Sequence, residues 1–80
     1  MSTGYDKLKS LVGCGKSWAD ERAQLALDLA DQHARGDISS DEYKELLEDL
    51  IRTDILDRES DDMAVKMVLV GAVKGIIAVL

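Results

Sequence analysis

Residues 63–80 contain no acidic side chain, and their only charges are Lys66 and Lys74. All sixteen acidic residues except Asp6 fall before them, within residues 17–62. An apolar segment of this kind must be covered by the rest of the chain, a second copy, another protein or lipid. At eighty residues the chain makes one domain at most, in a size range where a lone hydrophobic core is only marginally stable. Small chains offset that with disulfides, a metal or association. One cysteine excludes an intramolecular disulfide, and Cys14 and His33 are the only soft donors, too few for a tetrahedral zinc site. Association is the remedy left.

The order of elements follows from periodicity and caps. Tyr5, Leu8, Leu11 and Val12 recur at spacings of three and four, which predicts a short helix inside an N-terminal segment, 1–16, that breaks at Gly13-Cys14-Gly15. Ser17 reads as an N-cap, with Asp20 and Glu21 in the first turn of a helix ending at Arg35 and Gly36. In that helix Trp18, Leu25, Leu29 and Gln32 trace one line, and Ala19, Ala23, Ala26, Ala30 and Ala34 lie beside it, permitting close approach of another helix. Ser39 and Glu42 then form an S-x-x-E capping box with Ile38 placed to staple onto Tyr43. The short link between the two helices predicts an antiparallel hairpin over 17–35 and 39–57, within an acidic unit 17–59. Its expected seam is Leu25, Leu29, Tyr43, Leu46, Leu47, Leu50 and Ile51, and its second helix is expected to fray or bend between Thr53 and Glu59.

Ser60-Asp61-Asp62 offers a further N-cap, so 60–80 is expected to be an apolar C-terminal helix. A strand pair is the alternative, because seven of these residues are Val or Ile, yet strict alternation fails and no turn dipeptide interrupts the run. Within it, Gly71-Ala72-Val73-Lys74-Gly75 is a G-x-x-x-G. With Ala64 and Ala78 the two glycines make a small-residue groove on one helical face, and Met67 and Val68 adjoin it. Three readings stay open: a seat for another helix, relief of crowding inside this chain's own core, or a chance spacing of small residues. The candidate interface residues are therefore Ala64, Met67, Val68, Gly71, Gly75 and Ala78.

Several chemistries lack their residues. Val12-Gly13-Cys14-Gly15-Lys16-Ser17 approaches a phosphate-binding loop, but the pattern requires glycine where Ser10 stands. No calcium-loop motif exists, and the numerous carboxylates sit on solvated helix faces without a definable catalytic pair. His33 has no nucleophile or orienting group beside it in sequence, so it is expected to cap carbonyls or pack at an edge. Catalytic, cofactor-binding and metal residues are all expected to be absent, and the chain is expected not to be an enzyme. A net charge of −6 repels phosphate backbones, and three spaced lysines, Lys7, Lys9 and Lys16, are no nucleic-acid patch. A helix over 63–80 would reach about 27 Å, short of a bilayer core of roughly 30 Å, and would bury Lys74 near its middle. The free thiol and the lack of a secretory signal in these residues suit a reducing compartment.

Two resemblances appear at the hairpin. The stretch Leu29-Ala30-Asp31-Gln32-His33-Ala34-Arg35-Gly36-Asp37-Ile38-Ser39-Ser40-Asp41-Glu42-Tyr43, followed by Leu46-Leu47, resembles the short oligomerisation module SHOCT, in which a leucine-bearing helix, Gly-x-Ile-[ST]-x-x-Glu-[FY] and a second such helix follow one another. It covers about a third of the chain, and its letters are those any capped hairpin uses. The whole chain, above all Ala23-Gln24-Leu25-Ala26-Leu27-Asp28-Leu29-Ala30-Asp31 and Glu45-Leu46-Leu47-Glu48-Asp49-Leu50-Ile51-Arg52-Thr53-Asp54, is similar to small proteins of T4-like tailed phages, including those infecting cyanobacteria. That likeness implies a bacterial host cytoplasm or a virion, and a part in assembly or host takeover.

The expectation is thus an all-α chain, completed by a second copy or a protein partner through its C-terminal helix: a structural or interaction protein, as in a phage virion or its assembly. A small membrane-active or anchoring protein is the second expectation, and an acidic inhibitor of a host protein the third.

Overall fold

The computed structural model describes residues 4–80, so residues 1–3 of the N-terminal segment lie outside the described residues. Five helices follow one another: α1 (Gly4–Leu11), α2 (Ser17–Ala34), α3 (Ser40–Leu50), α4 (Thr53–Glu59) and α5 (Met63–Ala78). The fold is all-α, and residues 63–78 are helix rather than a strand pair. α2 lies against α1, α3 and α5, and α5 in turn touches α1 and α3.

The α1–α2 joint is a built turn. Gly13 and Gly15 take positive φ, which L side chains adopt at a steric cost, and the Gly13 N–H donates to the Asp20 carboxylate at 3.0 Å. Asp20 therefore ties the turn to the positive end of α2. Ser17 is the first helical residue and not the cap; Lys16 holds the cap position without a side-chain bond. The carboxylate that serves this end comes from one turn further on. Between α2 and α3 the local rules hold: Gly36 has φ +79 after the helix end, and Ser39 and Glu42 form both bonds of the capping box. Asp62 caps α5, its carboxylate accepting from the Val65 N–H.

The break in the second half of the hairpin comes at Ile51 and Arg52, and residues 53–59 form their own helix instead of fraying. Turning the chain there carries Leu56 into the interior, where it is fully buried. Arg22 serves the broken end: its Nε donates to the Leu50 carbonyl at 3.2 Å, and its Nη1 reaches the Trp18 carbonyl at 3.0 Å and Glu59 at 2.9 Å. One guanidinium thus fastens α2 to the ends of α3 and α4. Trp18 repeats the device, its indole N–H donating to Asp61 at 3.0 Å.

All three sequence segments feed one core: Leu8 and Leu11 from α1, the α2 alanines with Trp18 and Leu29, Tyr43 and Leu47, Leu56, and Leu69, Ala72, Val73 and Ile76 from α5. The expected seam is correct for Leu29, Tyr43 and Leu47, while Leu50 and Ile51 are only partly covered. It fails for Leu25 and Leu46, which are 51% and 40% exposed. Ala19, Ala23, Ala26 and Ala30 take the centre of the contact, because three helices converge on α2 and only a methyl group fits between their backbones. Leu25 stands roughly 120° around the helix from Ala19 and is left at the rim.

Candidate interaction surface

On α5 the core residues Leu69, Ala72, Val73 and Ile76 lie at i, i+3, i+4 and i+7, which fixes the rotation of the helix. The side turned away from them carries Met63, Met67 and Val68, with Gly71, Lys74, Gly75 and Ala78 along the same exposure and Val79 just past the helix end. All six candidate residues, Ala64, Met67, Val68, Gly71, Gly75 and Ala78, are exposed, within roughly 100° of the helix circumference. Met63, Met67 and Val79 are 67%, 68% and 84% exposed, a high degree for large apolar side chains.

The glycines bear on the crowding reading of the small-residue groove. Among the described residues, a Cβ built at Gly71 or Gly75 meets nothing within 4 Å, and neither residue needs a positive φ. They relieve no crowding among the described residues. Gly4 is the contrasting case: a Cβ there would stand 2.5 Å from the Ala72 carbonyl oxygen and 2.7 Å from Ile76 Cγ1. The glycine that lets two helices of this chain touch is thus Gly4, on α1. Sequence reasoning missed it, since an isolated glycine near a chain end carries no pattern.

Two grooves meet at Gly71. One, about 440 Å³, lies between α1 and α5 and is lined by Gly4, Tyr5, Lys7, Gly71, Gly75, Ile76 and Val79. The other, about 310 Å³, is lined almost entirely by apolar surface from Thr53, Met63, Lys66, Met67, Val70 and Gly71. Ala64, Val68 and Ala78 border the face without lining either groove. The flanking charges are cationic: Lys7 and Lys74 have no ion pair among the described residues, while Lys66 pairs with Asp57.

A second surface, mixed polar and apolar, lies where α2 meets α3 and α4. Leu25, Leu46 and Ile55 are exposed there beside partly covered Leu50. One groove takes Glu21, Arg22, Leu25, Asp49, Leu50, Ile55 and Glu59, and Asp49 joins it to another formed by Glu42, Glu45 and Leu46. Glu21, Glu45 and Asp49 have no ion pair among the described residues. Leu25, Leu46 and Leu50 belong to the expected seam, while Ile55 falls in the stretch expected to fray or bend, so apolar spacing alone does not mark this surface.

His33 stacks on Tyr43 with ring centroids 4.7 Å apart, and its Nε2 lies 3.0 Å from Ser40 Oγ, an edge-packing role. Cys14 is exposed at the opposite end of α2, roughly 25 Å away along the helix. Tyr43 is buried, its hydroxyl without a hydrogen-bond partner among the described residues. Burial first, and Tyr5 beside it second, push its phenol well above the ordinary tyrosine value. Among the described residues no group of three or more His, Cys, Asp or Glu could hold a metal ion, and no helix is long and apolar enough to cross a membrane. Comparison with protein-family models, with known proteins and with solved structures finds no match.

Proposed function

We propose that this chain is a non-enzymatic interaction protein that associates with protein through the exposed face of α5. One observation carries the reading: Gly71 and Gly75 stand in open space on a helix whose neighbouring Met63, Met67 and Val79 are mostly exposed. Glycine inside a helix costs about 0.8–1.0 kcal/mol relative to alanine. No contact among the described residues offsets that at either position, whereas a helix from outside can approach the backbone closely there. One side of α5, Leu69, Ala72, Val73 and Ile76, is committed to the core, so its apolar character is shared between folding and docking. Assembly of a virion or of a host-directed complex is the setting that the phage resemblance implies, and a docking subunit suits it.

Truncation of residues 63–80 is a poor test, because it removes Leu69, Val73 and Ile76 from the core. Gly75→Leu, made in the full chain, blocks the face while leaving the core intact. Sedimentation equilibrium of the wild type should give a mass above one chain, falling to one chain in the variant while helical circular dichroism persists. A wild type at single-chain mass that floats with phosphatidylcholine–phosphatidylglycerol vesicles instead would transfer the face to lipid. Unchanged association in Gly75→Leu would remove the face from any role.

A further inference from the structure

The α5 face and the surface at α2, α3 and α4 share no residue; the first is mainly apolar, the second mixes polar and apolar atoms about equally, and their charges are opposite. Around the first stand Lys7, Lys74 and Lys66, the last paired with Asp57; around the second stand Glu21, Glu42, Glu45, Asp49 and the Arg22–Glu59 ion pair. Building on the docking role given above to α5, we infer that its occupant is a second copy of this chain, which presents the Leu25–Leu46–Ile55 surface. The contact is heterologous, head to tail.

Charge decides between this arrangement and a face-to-face pairing of two α5 helices. Two copies meeting through the same α5 face would bring two sets of Lys7 and Lys74 together, with no acidic residue lining either groove to offset them. The acidic surface supplies Glu21, Glu45 and Asp49 to Lys7 and Lys74, none of which has an ion pair among the described residues. It also covers Leu25, Leu46 and Ile55, large apolar side chains that the fold leaves wet. Since each copy offers both surfaces, the contact repeats. Repetition yields a ring where the rotation closes and an open filament where it does not.

Two surface variants test this in the full chain: Lys7→Glu with Lys74→Glu, and Glu45→Lys with Asp49→Lys. Each alone should associate at least roughly tenfold more weakly than the wild type, because like charges then face each other. Their equimolar mixture should regain association, since each restores a complementary surface to the other, and a chain carrying all four changes should associate with itself again. Raising salt from about 0.05 M to about 0.5 M should weaken the wild-type assembly roughly tenfold. If the Glu45 and Asp49 variant associates like the wild type while the lysine variant does not, the head-to-tail contact is wrong and the α5 docking face stands. A wild type of single-chain mass at every concentration defeats the second-copy occupant outright. Should either variant lose its helical signal, the salt titration of the unaltered chain decides: association that salt leaves unchanged or strengthens overturns the inference.

Discussion

Three glycine-to-alanine changes should shift stability with opposite signs, and the structure dictates which goes which way. At Gly71 and Gly75 the added methyl enters empty space on an exposed helical surface, so only backbone propensity acts. Each change should stabilise the single chain by about 0.8–1.0 kcal/mol, and the pair by roughly twice that. For a domain of this size one kcal/mol moves Tm by about 4–8 °C, so the double variant should melt roughly 6–16 °C higher. Gly4→Ala meets the Ala72 carbonyl at 2.5 Å and Ile76 Cγ1 at 2.7 Å. A backbone oxygen cannot swing away as a side-chain end can, so α1 must move off α5, at a cost of about 1–3 kcal/mol typical of overpacking.

The assay is thermal melting followed by helical circular dichroism, at a dilution where one chain is the dominant species, because association itself raises apparent stability. The same Gly71→Ala, Gly75→Ala chain should then be examined at high concentration. There the two methyl groups would occupy the proposed docking seat, and association should weaken by roughly tenfold or more, the equivalent of about 1.4 kcal/mol. A variant more stable alone and poorer at associating is the signature of glycines kept for an outside contact. If the double change lowers Tm in dilute solution, the glycines are packed within the chain and the reasoning fails. A raised Tm with unchanged association would leave the fold as described and remove the docking role.

Leu56→Ala, which empties a fully buried site on the seven-residue α4, should destabilise the chain by about 2–5 kcal/mol in urea denaturation; a loss under about 1 kcal/mol would mean that α4 is not docked as described. Three carboxylates have pKa values held below the ordinary 3.8 of Asp and 4.5 of Glu: Asp20 by the Gln24 amide and then the Gly13 N–H, Glu59 by Arg22, and Asp61 by the Trp18 indole and then Lys16. A lowered folded-state pKa means that the stabilisation is complete above the ordinary values and disappears as pH falls through the depressed ones. Helix content should hold from neutrality to about pH 4.5 and decline below it, and an acid midpoint unmoved by Asp20→Asn with Asp61→Asn would contradict that assignment.

Local signals in the sequence carried most of the helix limits. The Ser39–Glu42 box, Gly36 and Asp62 act within four residues of themselves, and each does in the structure what its letters imply. Leu25 and Leu46 were misread for a different reason: periodicity reports that a helix has an apolar stripe, not how close its neighbours come. The break at Ile51 and Arg52 carried no glycine or proline to announce it; it follows from where Leu56 must go. Gly4, Tyr5 and Lys7 become part of a groove only because α1 returns to lie on α5, a long-range contact invisible in the N-terminal segment. The α5 face was legible, since a helix with core residues at one phase must expose the small residues at the opposite phase.

The alanine centre of α2 connects the fold to its outward surfaces. Four methyl groups let three helices approach one backbone, which gives an eighty-residue chain a close-packed interior without a disulfide. Methyl groups remove little apolar area from water, at roughly 25 cal/mol per Å², so the interior gains close contact at the expense of large side chains. Leu25 and Leu46 stand at the rim of that packing, and Met63 and Met67 lie on the outer face of α5. Replacing Ala23 or Ala26 with leucine would not recover them, because the three neighbouring backbones would have to separate. Under the head-to-tail contact proposed above, the burial missing from the interior would be supplied between molecules, through two patches with opposite charge at their margins.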